Sequence, residues 1–312
     1  MVWAALWTVY IVWGSTYLAI RVSVETLPPF LAAGVRFLLA GIVMYAFLRV
    51  RKGKDAMKIS SSQLRSAAIV GSLLLLGGNG LVMTAEQEVP SGLASLIIAS
   101  TPLWVVLYRF LAKDNVSRGT LLGVAVGFVG VAVLVLPGDR PEGVSLGAIL
   151  LLLLAAASWG NGSFLSSRID MPSDPAVSTA FQMLLGGVAL LLVGAVLGEA
   201  GSLDVAAFST RSIVALTYLV VMGSLVAFTA YVWVLQHAPV SKVATYAYVN
   251  PVIAIFLGWL VLSEEITGAI FVGASIIVAS VAFIVRKESA PRGVEEVVDA
   301  QARGLAGADA SS

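Results

Sequence analysis

The sequence predicts an all-α integral membrane protein of ten transmembrane helices, arranged as two five-helix repeats of inverted topology. Composition is the first observation behind this: 59% of the 312 residues are apolar and only 12% charged, with a mean hydropathy of +0.95. Soluble domains carry roughly a quarter of charged residues. The second is that the apolar residues form continuous runs long enough to span a bilayer as helices, about 20 residues each, rather than the short alternating strands of a barrel. The third is internal repetition. Pro90 and Pro102 recur as Pro239 and Pro251, both displaced by 149 positions. Arg36-Phe-Leu-Leu-Ala-Gly41 is answered by Gln182-Met-Leu-Leu-Gly-Gly187, and Trp13-Gly14 by Trp159-Gly160.

The runs fall, between charged or turn-forming punctuation, at 2–20, 30–49, 65–86, 90–111, 119–137, 145–166, 175–197, 212–236, 240–262 and 266–285. The first has no basic leader and exceeds a signal-peptide core of about 7–15 residues, so it reads as a span. Met1 stands so close to it that there is room for a short missing leader. The repeats occupy 1–137 and 145–287, joined by a loop at 138–144 and followed by a tail at 288–312 whose mixed charges, Ala, Gly and Ser predict disorder. Five spans per repeat is an odd number, so the second repeat enters the membrane from the opposite side.

Lysine and arginine set the orientation. Assigning loops alternately to two sides puts fifteen basic residues on the side of the termini and three, Arg21, Arg140 and Arg211, on the other, with Arg36 inside a span. The positive-inside rule makes the first side cytoplasmic, and the expected location is the plasma membrane. The net charge of +1 gives no general attraction to nucleic acid, and the absence of cysteine removes disulfides, thiol catalysis and thiolate metal sites.

Pro90 and Pro239 open their spans, where proline is tolerated. Pro102 and Pro251 fall inside, where each removes a backbone hydrogen bond and predicts a kink or hinge. Around them stand the stretches Trp13-Gly-Ser-Thr-Tyr-Leu-Ala-Ile20, Pro90-Ser-Gly-Leu-Ala-Ser-Leu-Ile97 leading to Thr101-Pro102, and Tyr248-Val-Asn-Pro251 leading to Ser263-Glu264-Glu265. Together these resemble EamA-type members of the drug/metabolite transporter superfamily over nearly the whole membrane region. The resemblance implies a ten-helix carrier that exports amino acids or other small metabolites, with a central cavity lined by helices 1, 3, 4, 6, 8 and 9. One departure is Lys113-Asp114, where family members often carry Gly-Glu at the end of helix 4.

The residues alone give a compatible substrate-binding list. Trp13 and Tyr17 flank a small polar patch in helix 1, while Trp3 and Trp7 of the same stripe read as an interfacial belt. Thr101, Trp104 and Tyr108 share one face of helix 4, and Tyr246 and Asn250 one face of helix 9. Thr101 and Asn250 each precede an internal proline and correspond under the repeat. Asn79, Trp159, Asn161 and Tyr231 are further candidates, and bridging between helices is the competing use of all these polar groups. Arg36 and its repeat partner Gln182 join Pro102 and Pro251 as gating or hinge candidates, Arg36 having snorkelling as its alternative.

Glu86, Glu88, Asp114, Glu264 and Glu265 lie at helix ends or in loops, and His237 at a helix end, which leaves proton coupling open with Glu86 as its nearest participant. Gly119, Gly123 and Gly127 form a small-residue face for internal packing or a homodimer. No phosphate loop, metalloprotease pair or hydrolase elbow occurs, so neither catalytic residues nor a cofactor or metal are expected. The leading reading is a secondary exporter working by alternating access on a small-molecule substrate. A membrane-embedded enzyme acting on a lipid or isoprenoid, with Arg36 and Asn79 as polar handles, is the alternative.

Overall fold

A computed structural model describes residues 1–135, 143–201, 203–238, 240–243 and 245–288. Pro239, residues 138–142 of the inter-repeat loop and the tail beyond Glu288 lie outside the described residues. Among the described residues there is no strand, and ten apolar helices form the bundle. They are α1 Val2–Ser23, α2 Pro29–Lys52, α3 Ser61–Ala85, α4 Ser91–Leu111, α5 Arg118–Val135, α6 Leu146–Ser166, α7 Pro175–Val196, α8 Thr210–Val234, α9 Tyr246–Leu262 and α10 Gly268–Glu288.

Local chemistry fixes several helix starts. Ser60 and Gln63 close a capping box ahead of α3, with both bonds at 3.1 Å. Ser145, Asp174 and Ser209 cap α6, α7 and α8 through their side-chain oxygens, and proline occupies the first turn of α2 and α7 where no donor is lost.

Packing repeats as the sequence does. α2 lies on α7, α4 on α9 and α5 on α10, each helix against its own repeat equivalent. α1 packs on α8 and α9, as α6 packs on α3 and α4. The repeated motif at the α2–α7 crossing explains itself: a Cβ at Gly41 would lie 2.9 Å from the Leu184 amide nitrogen, and one at Gly187 would lie 2.7 Å from that of Leu38. Each glycine lets the partner backbone approach.

Two expectations are corrected. Pro102 does not sit inside a continuous helix: α4 consists of Ser91–Ile98 and Thr101–Leu111, and Pro102 belongs to the first turn of the second piece. Proline supplies no N–H for the Ile98 carbonyl, and the Thr101 hydroxyl donates to that carbonyl instead, at 2.7 Å. In the second repeat the run starting at 240 divides, with a short helix Val240–Val243 preceding α9, and Pro251 lies within α9 itself. Gly119, Gly123 and Gly127 face α10 and α4, the internal-packing use of that small-residue face. Cβ atoms there would meet Lys287, Ile284 and Leu103, and the Gly123 carbonyl accepts from the Ser280 hydroxyl.

The sequence also concealed one feature. α3 is π-helical over Ser72–Gly80 and α8 over Leu219–Val226, the same stretch of the third span in each repeat. Such wide turns are uncommon and are frequently found at functional sites.

Candidate functional site

The two π-helical stretches flank a cavity of about 350 Å³ between the repeats. Trp13 of α1 donates its indole N–H to the Gly223 carbonyl in the α8 stretch, at 3.1 Å. Its repeat equivalent Trp159, in α6, lies over Gly78 in the α3 stretch, where an added Cβ would come within 2.7 Å of the indole. Each repeat thus sends the tryptophan of its first span onto the distorted third span of the other.

On one wall Trp13, Tyr231 and Tyr246 form an aromatic cluster, with ring centroids separated by 5.0, 5.2 and 5.7 Å. Tyr17, Asn79, Thr101, Pro102, Trp159, Gln182, Asn250 and Pro251 also line the cavity. Asn79 makes one long bond to the Leu74 carbonyl, 3.5 Å, and Gln182 donates to Ser178, 2.9 Å. Asn250 is buried and its Oδ1 accepts nothing. Pro251 brings no donor to the Ala247 carbonyl, and Ala247 is part of the lining.

Arg36 reaches the same space from α2, only 5% exposed, so it does not snorkel to a surface. Its Nε donates to the Ser224 hydroxyl at 3.0 Å, its guanidinium lies 4.6 Å from the centre of the Phe37 ring, and its Nη1 has no partner.

Two expected lining residues are elsewhere. Trp104 packs edge-on against Phe128 at 5.2 Å and against Gly160, with its buried indole N–H unpartnered. Three residues after Thr101 it is turned about 60° off that face. Asn161 is likewise absent from the lining, although Gly160 before it packs on α4. Trp3 and Trp7 are 59% and 54% exposed, as a lipid-facing belt requires. His237 stacks on Trp233 at the helix end, away from the cavity, with centroids 4.1 Å apart. Thr16, from the polar patch of helix 1, lines the cavity as well, and Ser163, Thr179, Gly223 and Ser224 do so without having been singled out. The recurrence of Gly77-Gly78 as Gly223-Ser224 was the available signal.

The ends of the bundle differ. At the end bearing most acidic residues, hereafter the acidic end, Glu264 caps α4 from the other repeat. Its carboxylate accepts from the Ser91 and Gly92 amides at 2.7 and 3.0 Å and from the Ser91 hydroxyl at 3.0 Å. Glu199 does the same for α2, accepting from the Phe30 and Leu31 amides at 3.2 and 2.9 Å. An anion at a helix N-terminus satisfies orphan donors and complements the helix dipole. The adjoining half of α4 is buried from Ser91 through Ile97.

At the basic end, which carries the N-terminus, Leu48 and Met57 pack on Val177 and Ala180 in a small buried cluster, and the charged links between repeats are ion pairs on the surface. Lys52 meets Asp174, and Asp114 meets Arg168, with Arg109 at 3.6 Å. The Arg168 bond holds Asp114 below the usual carboxylate range despite partial desolvation, and Arg109 adds to it. Burial works against Asp174, yet the Lys52 and Ala176 hydrogen bonds leave it lowered too. The half of α4 nearer this end is buried only at Leu103 and Val106.

Residues 2–136 and 146–286 each match the EamA-like transporter family, so the family repeat covers both halves of the bundle. The chain belongs to the EamA-like transporter family. This EamA-family chain is 37% identical over 281 residues to a protein of Escherichia coli (strain K12) named uncharacterized inner membrane transporter YedA, covering 90% of this chain and 89% of the relative. It is 26% identical over 287 residues to a probable amino-acid metabolite efflux pump of Salmonella typhimurium, covering 87% and 90% of the two chains. A solved crystal structure superposes with a TM-score of 0.62 over 92% of this chain and 98% of the other, at 20% identity, which shows a shared fold. The EamA-family protein is therefore a multi-pass membrane protein of a transporter family, whose relatives point to transport of a small molecule.

Proposed function

We propose that this protein is a secondary carrier that exports a small organic solute across the plasma membrane by alternating access, with its basic end and termini in the cytoplasm. The observation that carries the reading is the cavity's construction from equivalent parts of both repeats. Rocking one repeat against the other would open the same cavity to either side in turn. An enzyme site acting on lipid would instead gather its polar groups in one repeat, whereas Asn79 and Thr101 come from the first and Asn250 from the second.

The cavity's chemistry narrows the solute. The cluster of Trp13, Tyr231 and Tyr246 offers apolar stacking area, while Asn250, Asn79, Thr101 and the Arg36 guanidinium offer polar contacts within one cavity of about 350 Å³. A compact molecule with an apolar body and a polar head fits this division, and the Salmonella relative's name points to amino-acid-like solutes. Gln182, Pro102 and Pro251 serve the movement rather than binding. The test is uptake and counterflow in liposomes against amino acids, nucleosides and cationic drugs. Saturable counterflow of one class supports the reading. Absence of exchange for every class, with folded protein in the bilayer, rejects it.

A further inference from the structure

Glu86 ends α3 at the acidic end and is 0% exposed, with neither carboxylate oxygen accepting a hydrogen bond. A donor stands beside it. The Arg21 guanidinium bonds the backbone carbonyl of Glu86 and leaves the carboxyl bare. The groups that face this carboxyl from the neighbouring elements are Tyr17 and Arg21 of α1, Arg36 of α2 and Glu264 beyond α9. Glu264 is engaged on the α4 amides, and Arg36 donates to Ser224 while its Nη1 stays unpartnered. An ionised carboxylate in this position would be a buried charge with no donor, an arrangement that burial strongly disfavours. A neutral carboxyl avoids that cost.

We infer that Glu86 is a proton-binding site of the outer gate: its carboxyl holds a proton while the acidic end is closed, and releases it to the outer solution when that end opens. Opening would bring water to the carboxyl and allow Arg21 to exchange the backbone carbonyl for the carboxylate. Closing takes one proton back from the outside. Because the closed state binds the extra proton, lowering the outer pH favours closure and raising it favours opening. The inference rests on the two-sided access proposed above and adds a ligand to it, the proton, at a named side chain.

The chain has no cysteine, so one introduced thiol can report on opening. Ile20→Cys places it at a cavity residue that is 3% exposed near the acidic end, and Asp204→Cys provides an exposed reference on the same side. Labelling by an impermeant thiol reagent on intact cells, divided by the reference, should rise with outer pH by up to about tenfold per unit. In the Glu86→Gln background it should stay low at every pH. Glu86→Asp should restore the dependence, and in purified wild-type protein an infrared band of a protonated carboxyl should shift in that variant. The infrared measurement decides the matter even if Glu86→Gln fails to accumulate. A pH dependence that persists in Glu86→Gln, or a protonated-carboxyl band indifferent to Glu86→Asp, overturns the proton site while leaving two-sided access intact. Labelling of Ile20→Cys that never occurs from outside at any pH removes the opening itself, and with it both readings.

Discussion

At the acidic end, Glu264 and Glu199 of the second repeat hold the N-terminal amides of α4 and α2 in the first, inside a layer where Ser91–Ile97 are fully buried. At the basic end the repeats meet through Lys52–Asp174 and Asp114–Arg168, pairs whose side chains keep between a quarter and a half of their exposure. Glu264 and Asp114 occupy equivalent places, after the fourth span of their repeats, yet one is a helix cap and the other a surface ion pair. Caps on desolvated amides are costly to break, because the donors are left bare. Exposed ion pairs contribute little and separate easily. The charged groups that tie the repeats are thus desolvated caps at one end and mostly exposed pairs at the other, and the lining follows suit: Ile20 and Val82 near the acidic end are buried, while Ser163 and Thr179 near the basic end are partly exposed.

Removing the acidic-end cap should have the largest effect. Glu264→Ala leaves two α4 amides without their acceptor, about 1–3 kcal/mol each. The outer half should loosen, with faster labelling of Ile20→Cys from outside and loss of concentrative export. Glu264→Gln retains an acceptor oxygen and should fall between the two. If Glu264→Ala transports and labels like wild type, the caps do not close this end.

Within the cavity the comparison sharpens between walls. Trp13→Ala should weaken binding in proportion to a ligand's apolar bulk, and Asn250→Ala should weaken ligands with polar heads by roughly 1–3 kcal/mol. Binding to purified, folded variants checks this. Equal loss across all ligands would mean that the substitutions damage the fold rather than the site.

How far the sequence spoke is clearest at these residues. The repeat, the spans and most of the lining follow from periodicity and proline spacing, because membrane helices must satisfy their own backbone bonds. The widened turns in α3 and α8 were illegible, since the apolar run Ser72–Gly80 suits an α-helix equally well and its packing partner Trp159 lies far away in sequence. Trp104 was misplaced because i and i+3 positions were taken as one face, whereas three residues of helix turn the side chain about 60° away from Thr101 and onto Phe128 and Gly160. Glu264 looked like a loop carboxylate, for its partners lie more than 170 positions away in sequence.

Pro102→Ala should act on the movement between the ends. Supplying the missing N–H to the Ile98 carbonyl would let the two halves of α4 join, steadying the fold while slowing exchange between access states. Counterflow rates at unchanged binding affinity measure this, and a wild-type rate would show that the break is a packing feature.

The smallest effect belongs to the basic end. Asp114→Asn should change stability only slightly, as expected of an exposed pair. Because Asp114 is held below the usual carboxylate range, its contribution is present at neutral pH and persists through mild acid, being lost only as pH falls through its lowered value. Thermal unfolding of wild type and Asp114→Asn across that range should run in parallel until the solution is strongly acidic.

The most direct test of the difference between the ends compares two single cysteines, Ile20→Cys and Thr179→Cys, in oriented membranes without substrate at neutral pH. An impermeant reagent applied to the cytoplasmic face should label Thr179→Cys rapidly, while the same reagent applied outside should label Ile20→Cys far more slowly than the exposed Asp204→Cys. Rapid outside labelling of Ile20→Cys together with protection of Thr179→Cys would contradict the account, placing the firm seal at the opposite end.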